Sequence, residues 1–252
     1  MKEFKVDKHI TLRLTGIKHK KTIIIVDDEE FMQCKYLLIV NPQEKRNLKE
    51  IRSIDEAGEL LSGELERELK PGDLGITPDE EFWGHCSNLQ AWVENDYNIN
   101  IIHTNLAFPL LKKIAEKGSK KAREKLREVV IEILEGKNLI KIKHMLEEDY
   151  FKFFSWEEFK DLYRIFSDTS KIGKSKMSIK EIRIYVELFS DFSACSRNYS
   201  NNYEYLLKPI IPDIRDFLKK LNIKKERPEE ILNRRFFVDR RYITLKELLK
   251  EN

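Results

Sequence analysis

ITLRLTGIKHKKTIIIV, residues 10–26, decides which class of fold to expect. Ile10, Leu12 and Leu14 alternate with polar residues, as a strand with one wet face requires. Phe4 and Val6 carry the same alternation upstream. Gly16 and the cluster Lys18–Lys21 read as a turn, and TIIIV at 22–26 reads as a β-branched strand. Asp27-Asp28-Glu29-Glu30 reads as a second turn, and FMQCKYLLIV at 31–40 as a third strand that Asn41-Pro42 ends. The expected product is an antiparallel meander. Three strands alone are marginal, so the sheet is expected to lean on helices.

From residue 53 the punctuation changes. Ser53/Glu56, Thr77/Glu80, Ser155/Glu158, Ser178/Glu181 and Thr244/Glu247 each fit a capping box. In that motif the hydroxyl satisfies an orphan helix amide and the Glu reaches back to the cap. Pro78 follows Thr77 at the first helical position, where its missing N–H is no loss. Helices are expected near 54–69, 78–95, 106–116, 120–135, 138–148, 156–167, 179–190, 203–208, 213–221, 228–235 and 245–250. Gly136 reads as the stop of the fourth, and Pro109 as a helix start or a kink.

The fold class expected is α+β. A small N-terminal antiparallel sheet precedes a larger array of antiparallel helices of the HEAT or armadillo kind, although no clean repeat period is visible. The segments read as a β meander at 1–45, a helical body at 46–192, and a polar loop with basic C-terminal helices packed on the body at 193–252.

Composition narrows the function. Of 252 residues, 36% are charged, and 47 basic residues against 44 acidic leave a net charge of +3. That balance argues against a general nucleic-acid coat, which needs a positive excess. Rich Lys and Glu with few Gln (Gln33, Gln43, Gln90) resemble a thermophile surface. Cys34, Cys86 and Cys195 are far apart and form no CxxC pair, which suits a reducing cytoplasm. No apolar run is long enough to span a bilayer, and MKEFKVDKHI has no signal-peptide core, so no membrane partner is expected.

Catalytic motifs are sparse. No phosphate loop, HExxH or GxSxG occurs, and the 166–182 loop lacks the oxygens a calcium loop needs at its fifth and twelfth positions. EFWGHCSNLQAW at 81–92 is the most distinctive stretch. An enzyme reading makes Cys86 a nucleophile with His85 or His103 as base, or His85 and His103 metal ligands. Helix geometry opposes it, because adjacent residues diverge by ~100° and Cys86 lies beyond the first turn. Phe82, Cys86, Leu89 and Val93 instead make one apolar face, with Trp92 bordering it and His85 at its edge. His85, Asn88 and Gln90 read as orienting polar groups, His85 and Asn88 as buried ones, and Trp83 as a residue that reaches a partner. In RRFFVDRRY at 234–242, Arg234, Arg235, Arg240 and Arg241 interleave with aromatics, a pattern suited to RNA; the near-neutral total charge favours instead an amphipathic segment whose aromatics pack inward and whose arginines pair with Glu.

Three segments, EFMQCKYLLIV (30–40), EFWGHCSNLQAWVENDY (81–97) and NLAFPLLKKIAEKG (105–118), resemble an uncharacterised family of archaeal cytoplasmic proteins. The resemblance covers residues 1–150 and is specific in its middle segment. Relatives carry Gly-Asp-Pro where this chain has Gly118-Ser119-Lys120. The resemblance implies an archaeal, cytoplasmic origin and brings no catalytic residue.

The expected function is therefore non-enzymatic macromolecule binding, without a cofactor. A protein partner or a second copy is the first expectation. A ribosome or RNA partner through the basic C-terminal segment is the other. The alternative is a thiol- or metal-dependent enzyme centred on Cys86, His85 and His103.

Overall fold

A computed structural model describes residues 2–17, 19–33, 51–58, 75–167, 184, 187, 188, 190, 191, 233, 235–238 and 241–248. Cys34, Cys195, Arg234, Arg240, the Ser178/Glu181 pair and the helices expected at 203–208 and 213–221 lie outside those residues. So do the strand beyond residue 33, the helix beyond 58, the loop at 193–205 and most of 179–190. The fold is α+β, with an N-terminal four-stranded antiparallel sheet followed by helices. Two compact units divide the chain, Met1–Leu126 and Arg127–Asn252. The first holds the sheet together with the helices that follow it.

In the first unit, β1 (Lys2–Lys5), β2 (Ile10–Thr15), β3 (Lys21–Val26) and β4 (Glu29–Gln33) pair in sequence order. The upstream alternation is two strands, not one. Asp7 breaks it, because its Oδ1 accepts from the backbone amides of His9 (2.8 Å) and Ile10 (2.7 Å) and closes a turn. The next turn is tighter than its four acidic residues suggest. Only Asp27 (φ 46°) and Asp28 (φ 66°) lie between Val26 and its partner Glu29. Left-handed conformation at both central residues is what a two-residue primed hairpin demands. Ile10, Leu12 and Leu14 are buried, as the alternation predicts, whereas β3 is buried from Thr22 to Val26 on both faces.

Helix α1 (Pro78–Glu94) packs on β2 and β3. α2 (Thr104–Glu116) runs through Pro109 and begins earlier than the sequence suggests, because His103 caps it with a ring nitrogen accepting from Asn105 N at 3.1 Å. Gly118, at φ 94°, ends that helix region, and Ser119 Oγ accepts from Ala122 N at 3.3 Å to start α3 (Lys120–Glu135). Gly118 and Ser119 are thus a stop and a cap.

In the second unit, Lys137 (φ 53°), not Gly136, takes the left-handed conformation after α3. Its ammonium donates to the carbonyls of Ile165 and Phe166 (2.9 Å to Phe166), at the C-terminal end of α5 (Trp156–Ser167), where cations are favoured. Between them lie α4 (Leu139–Glu147), capped by Asn138, and a 3₁₀ turn at Tyr150–Phe153. The basic C-terminal region differs from its helical reading: β5 (Arg235–Val238) and β6 (Arg241–Thr244) pair antiparallel, ahead of the short α6 (Leu245–Leu248). Aromatic and β-branched residues dominate the ladder sequence, and both types favour strands.

Candidate functional site

α1 carries most of the residues singled out by the sequence. Its start follows the expected chemistry: Thr77 Oγ1 accepts from Glu80 N at 3.3 Å, and Glu80 Oε2 accepts from Thr77 N at 2.8 Å. These bonds hold the Glu80 carboxyl below its ordinary range. Phe82, His85, Cys86, Leu89 and Trp92 form the buried face, at 3.6-residue spacing. Trp92 lies in that face rather than on its border, and so does His85.

The inner face is chemically quiet. Burial of the Cys86 side chain pushes its thiol up to about 12. His85 is 2% exposed, and its Nε2 stands 3.5 Å from Glu81 Oε1. Burial lowers its pKa, with Glu81 opposing the shift, so the ring is held toward its neutral form. Glu81 therefore engages the ring. His103 is half exposed on another element and stands 3.4 Å from Asp55, which also accepts from Thr104 N at 3.1 Å. Among the described residues no group of three or more His, Cys, Asp and Glu is arranged to hold a metal.

The outer face is different. Asn88 is exposed, contrary to the buried role expected of it, because its position falls between the inward-facing turns of the helix. Gln90 is exposed and donates to Glu94 Oε1 at 2.8 Å, an ordinary i,i+4 pair. Trp83 is 50% exposed. Its ring is nonetheless fixed, edge-on to Phe4 of β1 at 5.8 Å and to Phe82 at 5.2 Å. One turn earlier on the same helix face, Asp79 pairs with Lys2 and with Lys20 (3.1 Å). The two ammonium groups hold the Asp79 carboxyl below its ordinary range.

Beside these lysines the β2–β3 turn frames an open depression of about 330 Å³, lined by Lys2, Leu14, Thr15, Gly16, Ile17 and Lys20. Ile17 is fully exposed at 100%. Gly16 has φ 101°, and a Cβ there would meet His19 O at 2.2 Å, so the turn needs glycine. The site thus combines a rigid half-exposed Trp, an exposed Ile and a Lys–Asp–Lys cluster. Trp83 stands out in the sequence as a residue expected to reach a partner, and the structure shows that it is half exposed. Asp79, Lys2 and Lys20 were not legible in the sequence, because only the sheet brings residues 59 and 77 positions apart to one carboxylate.

Arg235 is exposed on β5, and its carbonyl accepts from Ser190 Oγ at 2.7 Å. Arg241 opens β6, opposite Val238.

No family model matches the chain, and no curated protein or solved structure matches it. No helix among the described residues is long and apolar enough to cross a membrane.

Proposed function

We propose that this chain is a non-enzymatic binding protein of the cytoplasm, which engages another macromolecule through the Trp83 face of its first unit. The observation that carries this reading is Trp83 itself: half exposed, yet held by two aromatic rings and one helical turn from Asp79 with its paired lysines. A pre-ordered Trp loses little conformational freedom on binding and offers a large contact area. Trp is enriched among interface residues whose truncation costs ~2 kcal/mol or more. The consecutive helices would serve as a HEAT- or armadillo-like scaffold, and the partner would be another protein or a second copy of this chain.

The test compares tagged wild type with Trp83→Ala in native lysate, by gradient sedimentation and mass spectrometry. The expected result is a stoichiometric protein partner, or self-association, that Trp83→Ala loses while staying folded. A monomeric wild type with no partner and a measurable turnover would overturn the reading. Co-sedimentation with ribosomal RNA that survives Trp83→Ala would move the site to the basic C-terminal region.

A further inference from the structure

β1 is an edge of the four-stranded sheet, paired on one side with β2. Val6 N donates to Ile10 O at 2.9 Å, so the backbone groups of the even-numbered residues turn toward β2. Alternation then turns the N–H and C=O groups of Glu3 and Lys5 outward. Among the described residues no strand takes them. Such an edge is a template for a further strand. The side chains divide between the two faces of the sheet. Phe4 lies across from the buried Leu12 and against Trp83, on the α1 side. Glu3 and Lys5 are exposed on the other side, where Glu3 Oε1 accepts from Arg13 Nε at 2.5 Å.

The charges select what can pair there. An incoming antiparallel strand must bring its own outward-turned residues opposite Glu3 and Lys5. For a second copy of β1, that allows Glu3 opposite Glu3, Lys5 opposite Lys5, or Glu3 opposite Lys5. The first two set like charges together at the two-fold axis and destabilise the pairing. The third makes opposite-charge pairs on both sides of the axis. It also sets Phe4 opposite Phe4, in the closer, non-hydrogen-bonded kind of pair. We infer that the partner is a second copy of this chain, joined β1 to β1 in that third register as one continuous sheet. This rests on the Trp83 face being the contact surface. Trp83 is fixed edge-on to Phe4, so both half-exposed rings flank the Phe4 pair and complete one apolar cluster. On the other side of the sheet, Arg13, Glu3 and the second copy's Lys5 form a row of alternating sign. The acids of α1 do not oppose this pairing. Lys2, which pairs with Asp79, falls opposite Val6, so the two acidic first turns lie at opposite ends of the joined strands. A self-complementary patch is what a two-fold interface requires.

The test is sedimentation velocity of the full chain over a concentration series, with charge reversal at the edge. Wild type should dimerise. Glu3→Lys sets lysines opposite each other and Lys5→Glu sets glutamates opposite each other, so either should raise the dimer Kd by about tenfold or more. An equimolar mixture of the two variants restores both opposite-charge pairs and should form a heterodimer with near wild-type affinity. Mixing does not repair a damaged fold, so this recovery separates strand pairing from loss of structure. A wild type that stays monomeric throughout, a dimer that neither reversal weakens, or a loss that mixing leaves in place would overturn the inference. If it fails while Trp83→Ala still loses a partner from native lysate, the reading of the Trp83 face stands. If Trp83→Ala loses nothing either, both fall.

Discussion

The Tyr97 hydroxyl donates a hydrogen bond to Asp7 Oδ2 at 3.2 Å, across 90 positions of sequence. Tyr97 is buried just past α1, and its ring stands edge-on to Trp92 at 4.9 Å. Asp7 meanwhile closes the β1–β2 turn through its other oxygen. The bond therefore ties the end of a helix to the end of the sheet. Tyr97→Phe should lower unfolding free energy by ~1–2 kcal/mol, the scale of a bond to a charged group with partial solvent access. Burial first, then the Asp7 charge, push the phenol to about 12. An acid raised this way stabilises the fold below its ordinary value of 10, and that stability is lost as pH rises from 10 to about 12. Denaturant midpoints across alkaline pH, for wild type and Tyr97→Phe, check both points. Equal midpoints would show that the bond contributes nothing.

Cys86 should be slow to react. Raising a thiol from 9.0 to about 12 reduces the thiolate at a given lower pH by about a thousandfold. In a Cys34→Ser, Cys195→Ser background, a thiol reagent should label native protein far more slowly than denatured protein. Rapid native labelling would restore Cys86 as a nucleophile candidate.

His85 should impose an acid limb on stability. Its pKa is depressed by burial, against the pull of Glu81. A base depressed in the folded state stabilises above its ordinary value of 6.5. That stability is lost as pH falls below 6.5, because the unfolded chain then binds more protons. His85→Gln cannot charge, so its stability should fall less between pH 6.5 and 5. Parallel pH curves for the two proteins would refute a neutral, buried ring.

Glu29 should titrate far from the other carboxylates. It accepts from Lys117 Nζ (2.6 Å) and Lys113 Nζ (2.9 Å), which lower its pKa to about 2. The pair of bonds matters most at low salt, because screening reaches within ~3 Å at 1 M. Carboxyl NMR should place Glu29 near 2 and return it toward 4.5 in Lys113→Ala, Lys117→Ala protein. Any stability it adds is present above 4.5 and lost as pH falls toward 2. A normal titration at low salt would dissolve the interaction.

The legible parts of this protein are those whose cause lies within a few residues. Thr77 with Glu80, Ser155 with Glu158 and Thr244 with Glu247 make both reciprocal bonds of their capping boxes. The Ser53 hydroxyl accepts from Glu56 N as expected, while the Glu56 carboxylate reaches Arg52 N instead of the cap amide. Ile10, Leu12 and Leu14 face inward as their alternation predicts. The Arg235–Val238 and Arg241–Thr244 ladder was missed because short aromatic runs do not distinguish a strand from a helix by period alone.

Sequence alone determined where α1 begins, which of its faces is apolar, and that an antiparallel sheet precedes the helices. Hydrogen-bond reach and side-chain period act locally, so those features are written in neighbouring residues. Tertiary structure decided what each face meets. It closed the sheet end through Asp7 and Tyr97, and brought Lys2, Lys20 and Phe4 to the outer side of α1 beside Asp79 and Trp83. Contacts between distant residues depend on how the sheet and helix pack, and no local pattern encodes that registry.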